Sequence, residues 1–118
     1  MHLIIDGYVS DPRKIEDKEF IYSFLDKYPE KIKMTKVSTP QVTQHSNPDP
    51  AEKGMSGFVL LAESHISIHI SPEQSYINID IFSCREFDCQ QATQTLQEHF
   101  GLTNSKSHIL DRPYPDIG

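Results

Sequence analysis

Between Ser56 and Cys84 the chain gathers side chains that can attack, accept or return a proton: Ser56, Glu63, Ser64, His65, His69, Glu73 and Cys84. A serine hydroxyl can act as nucleophile or donate to a developing oxyanion while staying uncharged. An imidazole is partly unprotonated near neutral pH and suits proton abstraction. Taken singly, each residue has an ordinary structural use: Ser64 as a strand serine, His69 as a half-exposed strand histidine, Cys84 as a small core residue. Their joint occurrence within one short segment is what points to chemistry. His65 and His69 do not make a metal pair, because four residues of strand separate them by about 13 Å.

The elements that must hold these residues follow from periodicity. Phe58-Val59-Leu60-Leu61-Ala62 is an apolar run of the buried-strand kind, and it leads into Glu63-Ser64-His65. From there Ile66, Ile68 and Ile70 alternate with His65, Ser67 and His69, the period of a half-buried strand that Pro72 breaks. Tyr76 to Cys84 alternates again, with Ile77, Ile79 and Ile81 on one face and Cys84 among the polar positions of the other. Leu3-Ile4-Ile5, ended by the turn signal Asp6-Gly7, predicts an opening strand. Ile21, Phe24, Leu25 and Tyr28 share one helical face, with Pro29 ending the pattern. Residues 33–43 alternate weakly, as a further strand would, and Gln44 to Gly54 reads as a loop. Asp88 with Gln91 resembles a capping box that opens a second helix, whose stripe Cys89, Ala92, Leu96 and Phe100 is closed by Gly101. On that stripe Cys89 is a core residue. A last strand takes in Ile109 and Leu110. The order predicts a two-layer α+β sandwich, an antiparallel sheet with two helices on one face.

With 118 residues the chain forms a single domain, 1–118. Its net charge of −6 excludes a nucleic-acid partner, since phosphate binding needs clustered Lys and Arg. No apolar run reaches the roughly 18 residues of a membrane helix. The opening Met1-His2-Leu3-Ile4-Ile5-Asp6 lacks a basic leader and a long apolar stretch, so the cytoplasm is expected. Cys84 and Cys89 are expected as free thiols in a reducing compartment.

The segment from Ser56-Gly57 through Ala62-Glu63-Ser64-His65, His69-Ile70-Ser71-Pro72-Glu73 and Asp80-Ile81-Phe82-Ser83-Cys84 resembles the prokaryotic S-adenosylmethionine decarboxylases. In that family one strand reads roughly AESHLSIHTWPE and the next ends in D-x-F-T-C-G. Ser56, Glu63, Ser64, His69, Glu73 and Cys84 fit without a gap, and His2-Leu3, Asp6 and Asp11-Pro12 are similar to the family's opening strand and turn. The resemblance implies self-cleavage between 63 and 64: Ser64 attacks the carbonyl of Glu63, Ser56 supports the oxyanion, and His69 removes the Cα proton of residue 64. What remains is a covalently bound pyruvoyl group derived from Ser64. It would form a Schiff base with the substrate amine and serve as electron sink in place of pyridoxal phosphate.

The same resemblance makes Cys84 the general acid that returns a proton to the substrate carbon, and Glu73 the carboxylate that binds the ribose hydroxyls of S-adenosylmethionine. It implies a homodimer in which two sheets face one another as a four-layer αββα arrangement, and a role in supplying aminopropyl groups for polyamine synthesis. Two departures bear on the substrate. The family's tryptophan before Pro-Glu is Ser71 here, where the eukaryotic branch has the threonine of H-I-T-P-E, and Arg85 replaces the glycine after the cysteine. Ornithine or arginine as substrate, or a non-processing partner subunit, are the alternatives left open by the residues.

Overall fold

The computed structural model describes residues 1–46 and 53–112. Its strands are β1 (His2–Val9), β2 (Gln41–His45), β3 (Gly54–Leu61), β4 (Ser64–Ser71), β5 (Tyr76–Phe82) and β6 (Leu102–Leu110), and its helices are α1 (Pro12–Glu16), α2 (Lys18–Lys31) and α3 (Cys89–Phe100). The strands pair antiparallel in the order β2-β3-β4-β5-β1-β6. Among the described residues no helix is long and apolar enough to cross a membrane.

The core lies on one side of this sheet. Ile66, Ile68 and Ile70 of β4 stand opposite Ile81, Ile79 and Ile77 of β5, and Leu3 and Ile5 of β1 continue the rows. All eight are buried, each contributing roughly 1.5–3 kcal/mol for an apolar side chain removed from water. Helix α2 covers them with Ile21, Phe24, Leu25 and Tyr28, and α3 with Cys89, Ala92, Leu96 and Phe100. Asp17 caps α2 by accepting from the Glu19 N–H, Asp88 caps α3 by accepting from the Gln91 N–H, and Gly101 ends α3 at φ 61°.

Among the described residues no helix covers the opposite face. Strand register lays the outward side chains in rows: Leu60, His65, Phe82, His2 and Leu110 in one, Phe58, Ser67, Asp80, Ile4 and His108 in the next, Ser56, His69, Asn78, Asp6 and Lys106 in a third. Phe58 is 40% exposed and Leu60 46%.

Several expectations change here. The run 58–62 is not a doubly buried strand: Phe58 and Leu60 face outward, because helices cover only the Met55, Val59 and Leu61 side. Strand β1 passes through Asp6-Gly7 to Val9, since a register shift against β6 between Asp6 and Tyr8 absorbs the irregularity without ending the strand. Pro29 sits inside the last turn of α2, which runs on to Lys31 before Lys33 turns away at φ 61°. In 33–43 only Gln41 onward is strand, with Lys36 making a lone bridge to Leu61. Of the expected loop, Gln44 and His45 finish β2 and Gly54 begins β3, while residues 47–52 lie outside those described. Five residues of α1 precede the two expected helices.

At Gly57 the side chain of Leu25 from α2 presses directly on the sheet backbone. A Cβ there would lie 2.9 Å from Leu25 Cδ1 and 3.1 Å from the Gln41 carbonyl oxygen. Gly57→Ala should therefore overpack the β3–α2 contact and destabilise the fold by about 1–3 kcal/mol. A urea midpoint unchanged from that of the parent chain would show that α2 is not pressed against β3 at this point.

Candidate functional site

Ser64 is positioned by a hairpin. Leu61 pairs with Ser64, so only Ala62 and Glu63 connect β3 to β4. Glu63 adopts φ 60°, a left-handed conformation that costs a side chain with a Cβ roughly 1–2 kcal/mol. The Ala62 N–H donates to the Thr35 carbonyl at 2.9 Å, tying this turn to the segment after α2. The peptide bond on the C-terminal side of the strained Glu63 is the one that Ser64 adjoins.

Cys84 is brought to the same place from β5. Its backbone N–H donates to Ser64 Oγ at 3.3 Å. The bend that presents it is held on both sides: the Ser83 N–H donates to the Met1 carbonyl at 2.9 Å, and the Arg85 N–H donates to Ser83 Oγ at 3.0 Å. Ser83 is 2% exposed, so this bend is part of the packed structure. Ser64 and Cys84 open together on a cavity of about 920 Å³, which Glu63, Tyr28 and Arg85 also line. Burial pushes the Tyr28 phenol up to about 12, so it enters the cavity wall as a neutral hydroxyl. The other thiol, Cys89, is buried, and burial raises its pKa, which fits its expected place in the core.

Ser56 and His69 form a second, separate unit. They are cross-strand partners of β3 and β4, and Ser56 Oγ lies 2.9 Å from His69 Nδ1. Both are on the uncovered face. His69 is five residues along β4 from Ser64, which places it about 17 Å away at strand rise and, five being odd, on the other face of the strand. Glu73 is further still, in the 3₁₀ turn Pro72–Gln74 beyond the end of β4, where it lines a cavity of about 430 Å³ with Glu16, His45 and Lys53. Within one chain the structure thus joins Ser64 to Cys84 and Ser56 to His69, and does not join these two pairs to one another or to Glu73.

A cluster whose grouping the sequence does not show, His65 with Phe82, His2, Asp80 and Arg112, lies one residue beyond Ser64 on the uncovered face. The His65 ring stacks on Phe82 at 5.5 Å between centroids, and His2 meets Phe82 edge-on at 5.9 Å. The Arg112 guanidinium lies over Phe82 at 4.7 Å, and His2 Nε2 is 3.7 Å from Asp80. Burial, the neighbouring His2 and the Arg112 cation lower the His65 pKa, with Asp80 acting in the opposite sense. The alternation of β4 gives the face of His65, but its partners come from β1 and from beyond β6, a pairing that no local pattern encodes. Among the described residues no group of His, Cys, Asp and Glu has the makings of a metal site.

Comparison with known proteins gives matches along nearly the whole chain. The family profile described as S-adenosylmethionine decarboxylase matches residues 1–113. The S-adenosylmethionine decarboxylase proenzyme of Archaeoglobus fulgidus is 33% identical over 112 residues, covering 94% of this chain and 95% of that protein. The proenzyme of the same name from Prochlorococcus marinus is 30% identical over 115 residues, covering 97% and 87%. The crystal structure of the adenosylmethionine decarboxylase from Aquifex aeolicus superimposes with a TM-score of 0.78 at 26% identity, over 99% of this chain and 92% of that one.

The left-handed Glu63 is open to direct test. In a Ser64→Ala background, Glu63→Gly should raise stability by about 1 kcal/mol, since glycine adopts this φ without the Cβ clash. A lower thermal midpoint for the double variant than for Ser64→Ala alone would contradict the conformation assigned to this turn.

Proposed function

We propose that this chain, which belongs to the S-adenosylmethionine decarboxylase family, is a self-cleaving proenzyme whose mature form is a pyruvoyl-dependent decarboxylase of S-adenosylmethionine. The observation that carries the reading is the placement of Ser64: it follows a residue held at φ 60°, its Oγ is engaged by the Cys84 N–H, and it borders a cavity large enough for a small molecule. That environment fits the prosthetic group, because the group is made from residue 64 itself and needs a hydroxyl, an adjoining strained peptide and a nearby acid.

In maturation, Ser64 Oγ adds to the carbonyl carbon of Glu63 and the C–N bond breaks, leaving an ester and a free amine. The hydrogen bond from Cys84 occupies a lone pair of Oγ, which orients the hydroxyl before attack. Removal of the Cα proton of residue 64 then expels the Glu63 carboxylate, and hydrolysis of the resulting dehydroalanine releases ammonia. The pyruvoyl group supplies a carbonyl electron sink for loss of carbon dioxide. Cys84 Sγ delivers a proton to the substrate carbon that carried the carboxylate.

The base for that Cα proton is His69, with Ser56 as the hydroxyl beside the developing oxyanion. Both belong to a second copy of the chain. A span of about 17 Å along a strand cannot be closed within one sheet, whereas two sheets meeting through their uncovered faces would bring His69 and Ser56 of one copy to the β3–β4 turn of the other, where the Glu63–Ser64 bond lies. Exposed Phe58 and Leu60 on that face support a homodimer, since sheet faces pack about 10 Å apart with side chains interdigitated. Glu73, also remote from Ser64 in its own chain, would reach the same site from the partner and bind the ribose hydroxyls through its two oxygens. The product would serve as aminopropyl donor in the making of polyamines such as spermidine.

Intact mass spectrometry should show two fragments, 1–63 and a pyruvoyl-blocked fragment beginning at 64, and one unbroken chain for Ser64→Ala. A sequenceable serine at position 64 in most of the product would overturn the pyruvoyl assignment. Cys84→Ala should still cleave yet lose turnover on the order of 10²-fold, the scale of a positioned general acid. Release of labelled carbon dioxide should be fastest from S-adenosylmethionine. A far higher kcat/KM on ornithine or arginine would move the substrate to a basic amino acid and leave the chemistry standing.

A further inference from the structure

The cluster around Phe82 has no part in the steps above, yet it stands closer to the reacting residue than His69 of the same chain does. We propose that His65 is a second base in the site: its imidazole takes the proton of the bound substrate's α-ammonium, freeing the nitrogen lone pair for reaction. The inference rests on the proposed function. In that proton transfer an N–H bond of the ammonium breaks, an N–H bond forms on the imidazole, and the imidazolium later releases the proton to water.

Position is the first support. After cleavage residue 64 is attached to the sheet only through the peptide nitrogen of His65, so the reacting carbonyl is released from the β3–β4 turn and hangs one residue from this imidazole. The second is chemical need. An α-ammonium has an ordinary pKa near 8 and above, so at neutral pH most substrate arrives without a lone pair on nitrogen. A neutral base within reach would raise the share of free amine at the reacting carbonyl. The third is the fixing of the ring: it lies on Phe82 at an interplanar angle of 25°, a contact that uses the face of the imidazole and leaves its nitrogens at the edge. His2 is less suited, because Asp80 lies 3.7 Å from its Nε2 and Arg112 3.5 Å from its Nδ1.

The groups that face His65 agree with this task. Leu60 comes from β3, Asp80 and Phe82 from β5, His2 from β1, and Arg112 from beyond β6. Burial disfavours the imidazolium first, and His2 and Arg112 add to it against the single opposing carboxylate of Asp80. The imidazole is therefore neutral through the neutral pH range and passes an acquired proton on readily.

The test uses the full chain. His65→Gln should cleave at 63/64 as the parent does, and the processed variant should lose kcat/KM on the order of 10²-fold at pH 7. That loss should shrink as pH rises toward the pKa of the substrate amine, where free amine no longer needs a base. A loss equal at all pH values, or no loss at pH 7, would overturn the proposal. A second measurement needs no turnover: in Ser64→Ala, the His65 imidazole followed by NMR should titrate below 6.5, the ordinary value. Arg112→Gln, at an exposed position, should raise that pKa and move the acid limb of kcat/KM the same way. A His65 that titrates at or above 6.5, or is indifferent to Arg112, would contradict the assignment. If the wild-type chain fails to cleave, the proposed function fails, and the His65 role with it. If it cleaves and prefers another amino acid, the role is read on that amino acid, which carries the same ammonium.

Discussion

Strand β4 carries a serine at its first position and a histidine five residues on, and an extended strand cannot bring those two side chains together. Alternation puts them on opposite faces, and a rise of about 3.3 Å per residue keeps them well apart. Antiparallel pairing with β3 then decides which neighbours each receives. Ser64 receives the tight turn at Glu63 and, across β5, the bend at Cys84, whereas His69 receives Ser56. The candidate residues are divided in two by the geometry of a single strand, and each half is well built within its own surroundings.

What completes the site on the proposed reading is the uncovered face of the sheet. Helices α2 and α3 bury one side of every central strand, leaving Phe58, Leu60, His65, His69 and Phe82 on the other. A small domain with one packed core exposes such a face by construction. Pairing two of these faces would bury the exposed apolar residues and unite the separated halves, so that the driving force for association and the assembly of the catalytic groups are one event. The left-handed Glu63 adjoins the bond that the proposed maturation would break, and the Ala62 to Thr35 and Cys84 to Ser64 hydrogen bonds hold it there.

Much of this was legible in the order of residues. The isoleucines of β4 and β5 alternate so regularly that face and strand type followed directly, and Asp88, Gly101 and the stripe from Cys89 to Phe100 marked α3. The apolar run 58–62 misled, because composition alone does not tell a strand covered on both sides from one whose second face awaits a partner. Gly7 misled in another way: a glycine that ends a strand and one that carries a bulge look alike locally. The candidate residues were visible as types and spacings, but their grouping was not. That Ser64 meets Cys84 and not His69 depends on the register of three strands, and the stack of His65, Phe82 and Arg112 joins residues distant along the chain.

The claim that two chains make one site is tested most directly by mixing two defective chains. His69→Ala and Ser64→Ala should each remain uncut when expressed alone, the first lacking the base and the second the nucleophile. Co-expressed and co-purified, they can form a dimer in which the intact Ser64 of one chain faces the intact His69 of the other. The account predicts that the His69→Ala chain, distinguished by mass, is then cleaved after residue 63. A His69→Ala chain that stays whole in a demonstrated mixed dimer would contradict the account.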